Sequence, residues 1–95
     1  MNKYESIVII NPNLDEAALK ALEEKFKGLI NENGKVENVV DMGKRKLAYE
    51  IKKNKEAFYV EFDFEAKPES ITELERIYRI TDDVLKFITV RKEEK

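Results

Sequence analysis

The sequence contains no cysteine and no histidine. Without cysteine there can be no disulfide, no thiolate metal ligand and no thiol nucleophile, and thiol usage says nothing about compartment. Without histidine, most zinc and haem sites, Ser-His-Asp and Cys-His catalysis and the commonest general base near neutral pH are excluded too. Carboxylates, lysines and tyrosines are left for chemistry. No apolar run approaches the roughly 18 residues of a membrane span, and the start Met1-Asn2-Lys3-Tyr4-Glu5 has no signal-peptide pattern. A soluble, cytoplasmic protein without membrane contact is the expectation.

Its 95 residues are enough for one small domain, and a single domain over residues 1–95 is expected. Hydrophobic residues make up 42% and charged residues 40%, too apolar a balance for a disordered chain. The net charge of −2 is unevenly spread. Between Lys44 and Lys55 six basic residues face one acid, Glu50, so this stretch carries +5 and the remainder −7. Such a patch can meet a phosphate backbone locally, yet it releases few counterions and binds weakly by itself. A solvated lysine-rich edge strand that discourages aggregation accounts for it equally simply.

The segment from Lys3 to Ile10 is short and β-branched, and Asn11-Pro12-Asn13 ends it, which predicts a strand. A helix follows. Asn13 is placed to cap it with Glu16 three residues on, and Leu14, Ala18, Leu22, Phe26, Leu29 and Ile30 recur at helical steps. Asn33-Gly34 is expected to end it as a left-handed cap. The stretches from Val36 to Met42 and Lys44 to Lys52 predict one long strand, bulged or bent at Gly43. A tight turn at Lys53-Asn54 leads to an alternating strand with Phe58, Val60, Phe62 and Phe64 on the core side. Pro68 suits the first turn of a second helix carrying Ile71, Leu74, Ile77 and Tyr78. Val84 to Arg91 forms the last strand, and Lys92 to Lys95 a frayed tail.

The order βαββαβ, with right-handed crossovers, predicts an α+β ferredoxin-like sandwich: a four-stranded antiparallel sheet, both helices on one face, the other face open. Both parities of the first strand are apolar. If Ile7 and Ile9 lie on the open face with Tyr59, Ile88 and Val90, they form an uncovered patch that invites a partner; long Lys and Glu stems could also shield it. Which face of the last strand is buried stays open, because Phe87, Ile88 and Val90 do not alternate cleanly.

Three chemistries of this topology can be tested against residues. The stretch from Lys55 to Phe62 resembles the third-strand pattern of RNA-recognition motifs at its start and end, but only Tyr59 is aromatic where two stacking rings are needed, and Ala57 holds the other place. Acylphosphatases need a glycine-rich loop with an arginine after the first strand, where this chain has Asn11-Pro12-Asn13. Metal-transfer domains need paired cysteines. Carboxylate pairs such as Asp82-Asp83 and Glu73-Glu75 read as helix-end and surface charges, so no enzyme, cofactor or metal is expected.

Met42-Gly43-Lys44-Arg45-Lys46-Leu47-Ala48-Tyr49-Glu50-Ile51-Lys52 resembles the signature of the family of the sixth protein of the bacterial small ribosomal subunit. The opening, Tyr4-Glu5 through an aliphatic strand to Asn11-Pro12-Asn13-Leu14, is similar to that family's start. The stretch from Glu73 to Lys86 is similar to its second helix and the entry to its last strand. The likeness runs from Tyr4 to Arg91. Met42 stands where many members carry tryptophan, Ala57 where glycine is usual, and Lys86 where arginine is common.

This resemblance implies a structural protein of the small subunit that binds the central domain of its ribosomal RNA as a heterodimer with the eighteenth protein of that subunit. By the same analogy RNA contacts fall on Lys3, Lys44, Arg45, Lys46, Lys53, Lys55, Lys86, Arg91 and Lys92, each binding phosphate and setting position. Arg45 leads, because a guanidinium grips phosphate through two parallel bonds. The partner would sit on Ile7, Ile9, Tyr59 and Ile88. Tyr49 is expected in the core beside Leu47 and Ile51. A protein-interaction module using the open sheet face or an edge strand is the other reading.

Overall fold

The computed structural model describes residues 1–92 and holds six elements: β1 (Asn2–Ile10), α1 (Glu16–Asn33), β2 (Gly34–Ile51), β3 (Asn54–Ala66), α2 (Pro68–Ile80) and β4 (Val84–Lys92). The strands form one sheet in the order β2-β3-β1-β4, and every pairing is antiparallel. Two βαβ units interleaved in this way put both helices on one face, the ferredoxin-like arrangement expected from the element order.

The helix-facing layer takes alternate residues of each inner strand: Tyr4, Ser6, Val8 and Ile10 from β1, and Val60, Phe62 and Phe64 from β3, all buried. Period-two alternation makes this possible. Phe26 of α1 meets Tyr78 of α2 edge to face at 4.9 Å and Phe62 at 6.3 Å, a geometry that suits the ring quadrupoles. Ser6, a buried polar side chain, shares hydrogen bonds of 3.0 Å with the hydroxyls of Tyr78 and Thr89. Thr89 and Phe87, which rests 5.2 Å from the Tyr78 ring, therefore face the helices, so Lys86, Ile88 and Val90 face out.

Local chemistry moves several expected boundaries. The α1 cap is Asp15, not Asn13: its carboxylate accepts the Ala18 N–H at 2.8 Å. The Asn13 N–H instead donates to the Asn11 side chain at 3.0 Å in a turn that delays the helix. Gly34 is extended (φ −168°), not left-handed. Glycine is needed there because a Cβ would run into the backbone carbonyl of Glu65 on β3. The tight turn is Lys52-Lys53, with φ 49° and 67°, not Lys53-Asn54. Asn54 closes it by donating from Nδ2 to the carbonyls of Ile51 and Lys52 at 3.3 and 3.2 Å. Lys92 belongs to β4 and not to a frayed tail; the rest of that tail lies outside the described residues.

The bend at Gly43 is present, with φ +75° and its N–H donated to the Asp41 carboxylate at 2.9 Å. A second irregularity was not foreseen. Lys46 pairs with Glu56 and Ile51 with Asn54, so the four residues Leu47–Glu50 stand opposite Lys55 alone. They loop out from the ladder.

Candidate nucleic-acid and partner interface

The open sheet face is built from rows that run across β3, β1 and β4. Tyr59, Ile9 and Lys86 form one row; Glu61, Ile7 and Ile88 the next; then Asp63, Glu5 and Val90; then Glu65, Lys3 and Lys92. From the first row to the last is six residues, about 20 Å along a strand. The face is therefore apolar with cationic flanks at one end and rich in carboxylates at the other.

At the apolar end, the bulge in β2 turns its residues onto the sheet. Ile7, Ile9, Tyr59 and Ile88 form the floor of a basin of about 440 Å³, walled by Met42, Leu47, Tyr49 and Ile51 and edged by Arg45 and Lys86. Ile7, Ile9, Tyr59 and Ile88 are brought together as expected. Ile88 and Val90 are about half exposed. Tyr49 is a correction: it is 62% exposed and does not pack in the core. The four-residue bulge removes it from the alternation that would have carried it inward. Its hydroxyl accepts a hydrogen bond from the Lys86 ammonium at 2.8 Å, and the same ammonium lies 5.5 Å from the ring centre.

The basic residues fall into two groups. At the hairpin end, Arg45 is exposed and donates from Nε to the Met42 carbonyl at 3.2 Å. This bond orients the guanidinium and leaves its terminal nitrogens for an outside acceptor. Lys44 is on the helix side, its ammonium 5.2 Å from the Phe58 ring centre. Lys46 and Lys55 flank the outer side of the bulge, and Lys53 sits in the turn. At the opposite end of the sheet, Lys3 pairs with Glu37 at 3.8 Å, and Arg91 donates to the Asn2 side chain at 3.2 Å. Lys92 bridges Asp63 at 3.0 Å and Glu5 at 3.7 Å. Its hydrogen bond to Asp63 raises its pKa, holding the charge on the protein's own carboxylates.

Glu5, Glu61 and Asp63 each bring a carboxylate oxygen within 4.8 Å of the others. Burial, followed by the hydrogen bond and charge of Asp63, raises the Glu61 pKa. The Lys92 ammonium supplies the compensating charge. The base-stacking reading gains nothing from the structure: Tyr59 is on the open face, but Ala57 is fully buried. No helix among the described residues is long and apolar enough to cross a membrane.

Reading the sequence missed Met42, Leu47, Tyr49 and Ile51 as walls of the basin. Their only common signal is contiguity with the glycine bend, and strict alternation puts Met42 on the opposite side from Leu47, Tyr49 and Ile51.

Comparison with known proteins gives one answer. Residues 3–91 match the family model of ribosomal protein S6. The small ribosomal subunit protein bS6 of Clostridium novyi is 53% identical over 95 residues, covering 99% of this chain and 100% of that protein. Its counterpart in Clostridium beijerinckii is 55% identical over 94 residues, with 98% and 99% covered. The crystal structure of 30S ribosomal protein S6 from Thermotoga maritima superposes with a TM-score of 0.92 at 40% identity, covering 96% of this chain and 87% of that one. Full-length sequence identity and the ferredoxin-like sheet agree: this chain belongs to the ribosomal protein S6 family, as a structural and non-catalytic component of the small subunit of the cytoplasmic ribosome.

Proposed function

We propose that this protein binds the central domain of small-subunit ribosomal RNA as a heterodimer with the eighteenth protein of that subunit. The observation that carries the reading is the layout of the open face, where an apolar basin for a partner adjoins the exposed cations of the β2–β3 hairpin. Ile7, Ile9, Tyr59 and Ile88 meet the partner. Arg45, Lys46, Lys53, Lys55 and Lys86 meet phosphate. Lys44, on the other side of the sheet, adds to the local field, and Lys3, Arg91 and Lys92 contact RNA by exchanging their present intramolecular partners for phosphate. A chain of net charge −2 releases few counterions alone, so a basic partner docked on the basin supplies the rest of the electrostatic attraction.

Gel-shift titration of a central-domain RNA fragment, with and without the partner protein and at two salt concentrations, tests this. Binding should appear with the partner and weaken with salt. Arg45→Glu should lower affinity about tenfold or more while leaving the fold unchanged by circular dichroism. Unchanged affinity across the salt series would remove the RNA reading and leave a protein-interaction module.

A further inference from the structure

The β2–β3 hairpin runs past the end of the sheet. β1 stops at Ile10, opposite Phe58, so among the described residues the hairpin from Ala57 to its tip has no third strand beside it. At its tip Lys52 and Lys53 are the only non-glycine residues with positive φ among the described residues, at 49° and 67°. This conformation crowds Cβ against the backbone, which is why two-residue tips of this shape favour Asn-Gly. Two lysines hold it here. Strain kept at an exposed tip points to a use for the side chains it directs.

Lys52 lines a shallow cleft of about 280 Å³ between the hairpin and the junction of α2 with β4. Arg79 and Lys86 also line it, and no carboxylate among the described residues does. The Arg79 guanidinium is seated over the Phe87 ring at 5.8 Å, and Lys86 is tethered to the Tyr49 hydroxyl. Arg79 is therefore positioned before any ligand arrives, on a ring that itself lines the cleft, while Lys52 comes from the strained turn and the Lys86 ammonium joins them by leaving Tyr49. Cations around a concavity whose described lining holds no carboxylate form an anion site.

We infer that this cleft binds a backbone phosphate of the RNA through Lys52, Arg79 and Lys86, and that the strained Lys52-Lys53 turn exists to place Lys52 there. The inference rests on the RNA-binding reading above. Neither Lys52 nor Arg79 stood out in the sequence, since the first is one lysine of many and the second is one of several charges on a helix surface.

The test is the full-length double variant K52N/K53G, which gives the tip the residues its backbone prefers. The melting temperature should rise by about 5 °C, given the 4–8 °C per kcal/mol of small domains. Affinity for the central-domain RNA fragment, with the partner protein present, should fall about tenfold, and the salt slope should drop by about 1 per lost phosphate contact. Arg79→Gln should lower the slope by about 1 as well. K20Q/K25Q, which removes two charges from the exposed side of α1, should match the unaltered protein. If K52N/K53G and Arg79→Gln bind like K20Q/K25Q while Arg45→Glu is impaired, the cleft is not a phosphate site and the RNA reading stands. If the unaltered protein shows no salt-sensitive binding with its partner, both are overturned.

Discussion

Glu23 on α1 has its carboxyl pushed up to about 7, first by burial and then by the charge and hydrogen bond of Asp41 on β2. Lys20 pulls it back and Glu24 adds to the rise. One of its oxygens is buried without a partner. Because the folded pKa lies above the unfolded value of 4.5, the native state holds the extra proton between about pH 4.5 and 7. The stability contributed by that proton is complete below the window and is lost as pH rises through it. Glu23→Gln keeps a donor for Asp41 and removes the titration. Its stability should fall less between pH 5 and 8 than that of the unaltered protein, and at pH 8 it should exceed it by about 1 kcal/mol, a figure reduced for partial exposure of the side chain. Urea melts at the two pH values check this; parallel losses in both proteins would contradict it. Glu23 looks like an ordinary helix-surface acid in the sequence, and only the approach of β2 distinguishes it from Glu24.

At the scale of elements, Gly34 shows how a correct boundary can rest on a different cause. Asn33-Gly34 does end α1, but the backbone is extended and the constraint is the Glu65 carbonyl one strand away. Gly34→Ala should therefore cost about 2 kcal/mol, the scale of overpacking a close contact, instead of the few tenths expected at an open helix end. Thermal melting of the variant measures it. The helices, the alternating strand β3 and the bend at Gly43 were all legible, because spacing and φ preference are local properties. The Leu47–Glu50 bulge was not. Its sequence contains no glycine or proline, and what turns it out of the ladder is the register between Lys46–Glu56 and Ile51–Asn54.

Across the whole molecule, the charge pattern separates two poles of one sheet face. The carboxylate end consumes its own lysine, because Lys92 is held by Asp63 and Glu5. The hairpin end keeps its cations exposed around an apolar basin, and the far row of the carboxylate end lies about 20 Å, two Debye lengths, away. Ile88 lies at this basin, half exposed, and can be changed without disturbing the core. Ile88→Lys should leave the melting temperature within about 2 °C, as surface changes do, and should weaken association with a basic partner about tenfold by burying a like charge. Calorimetric titration with the partner protein reads the difference; unchanged affinity would place the partner elsewhere.

Hydrophobic period, turn residues and chain length determined the element order, the ferredoxin-like topology and the core from Val8 to Tyr78, because these depend on neighbours one to four residues apart. The motif around Gly43 was enough to indicate the family. Only the tertiary structure decided which face of β4 looks outward, that Tyr49 leaves the core to meet Lys86, and which basic residues face solvent and which face a carboxylate. Each of those outcomes depends on strand register and on atoms distant in the chain, and a one-residue slip would send every one of those side chains to the opposite face.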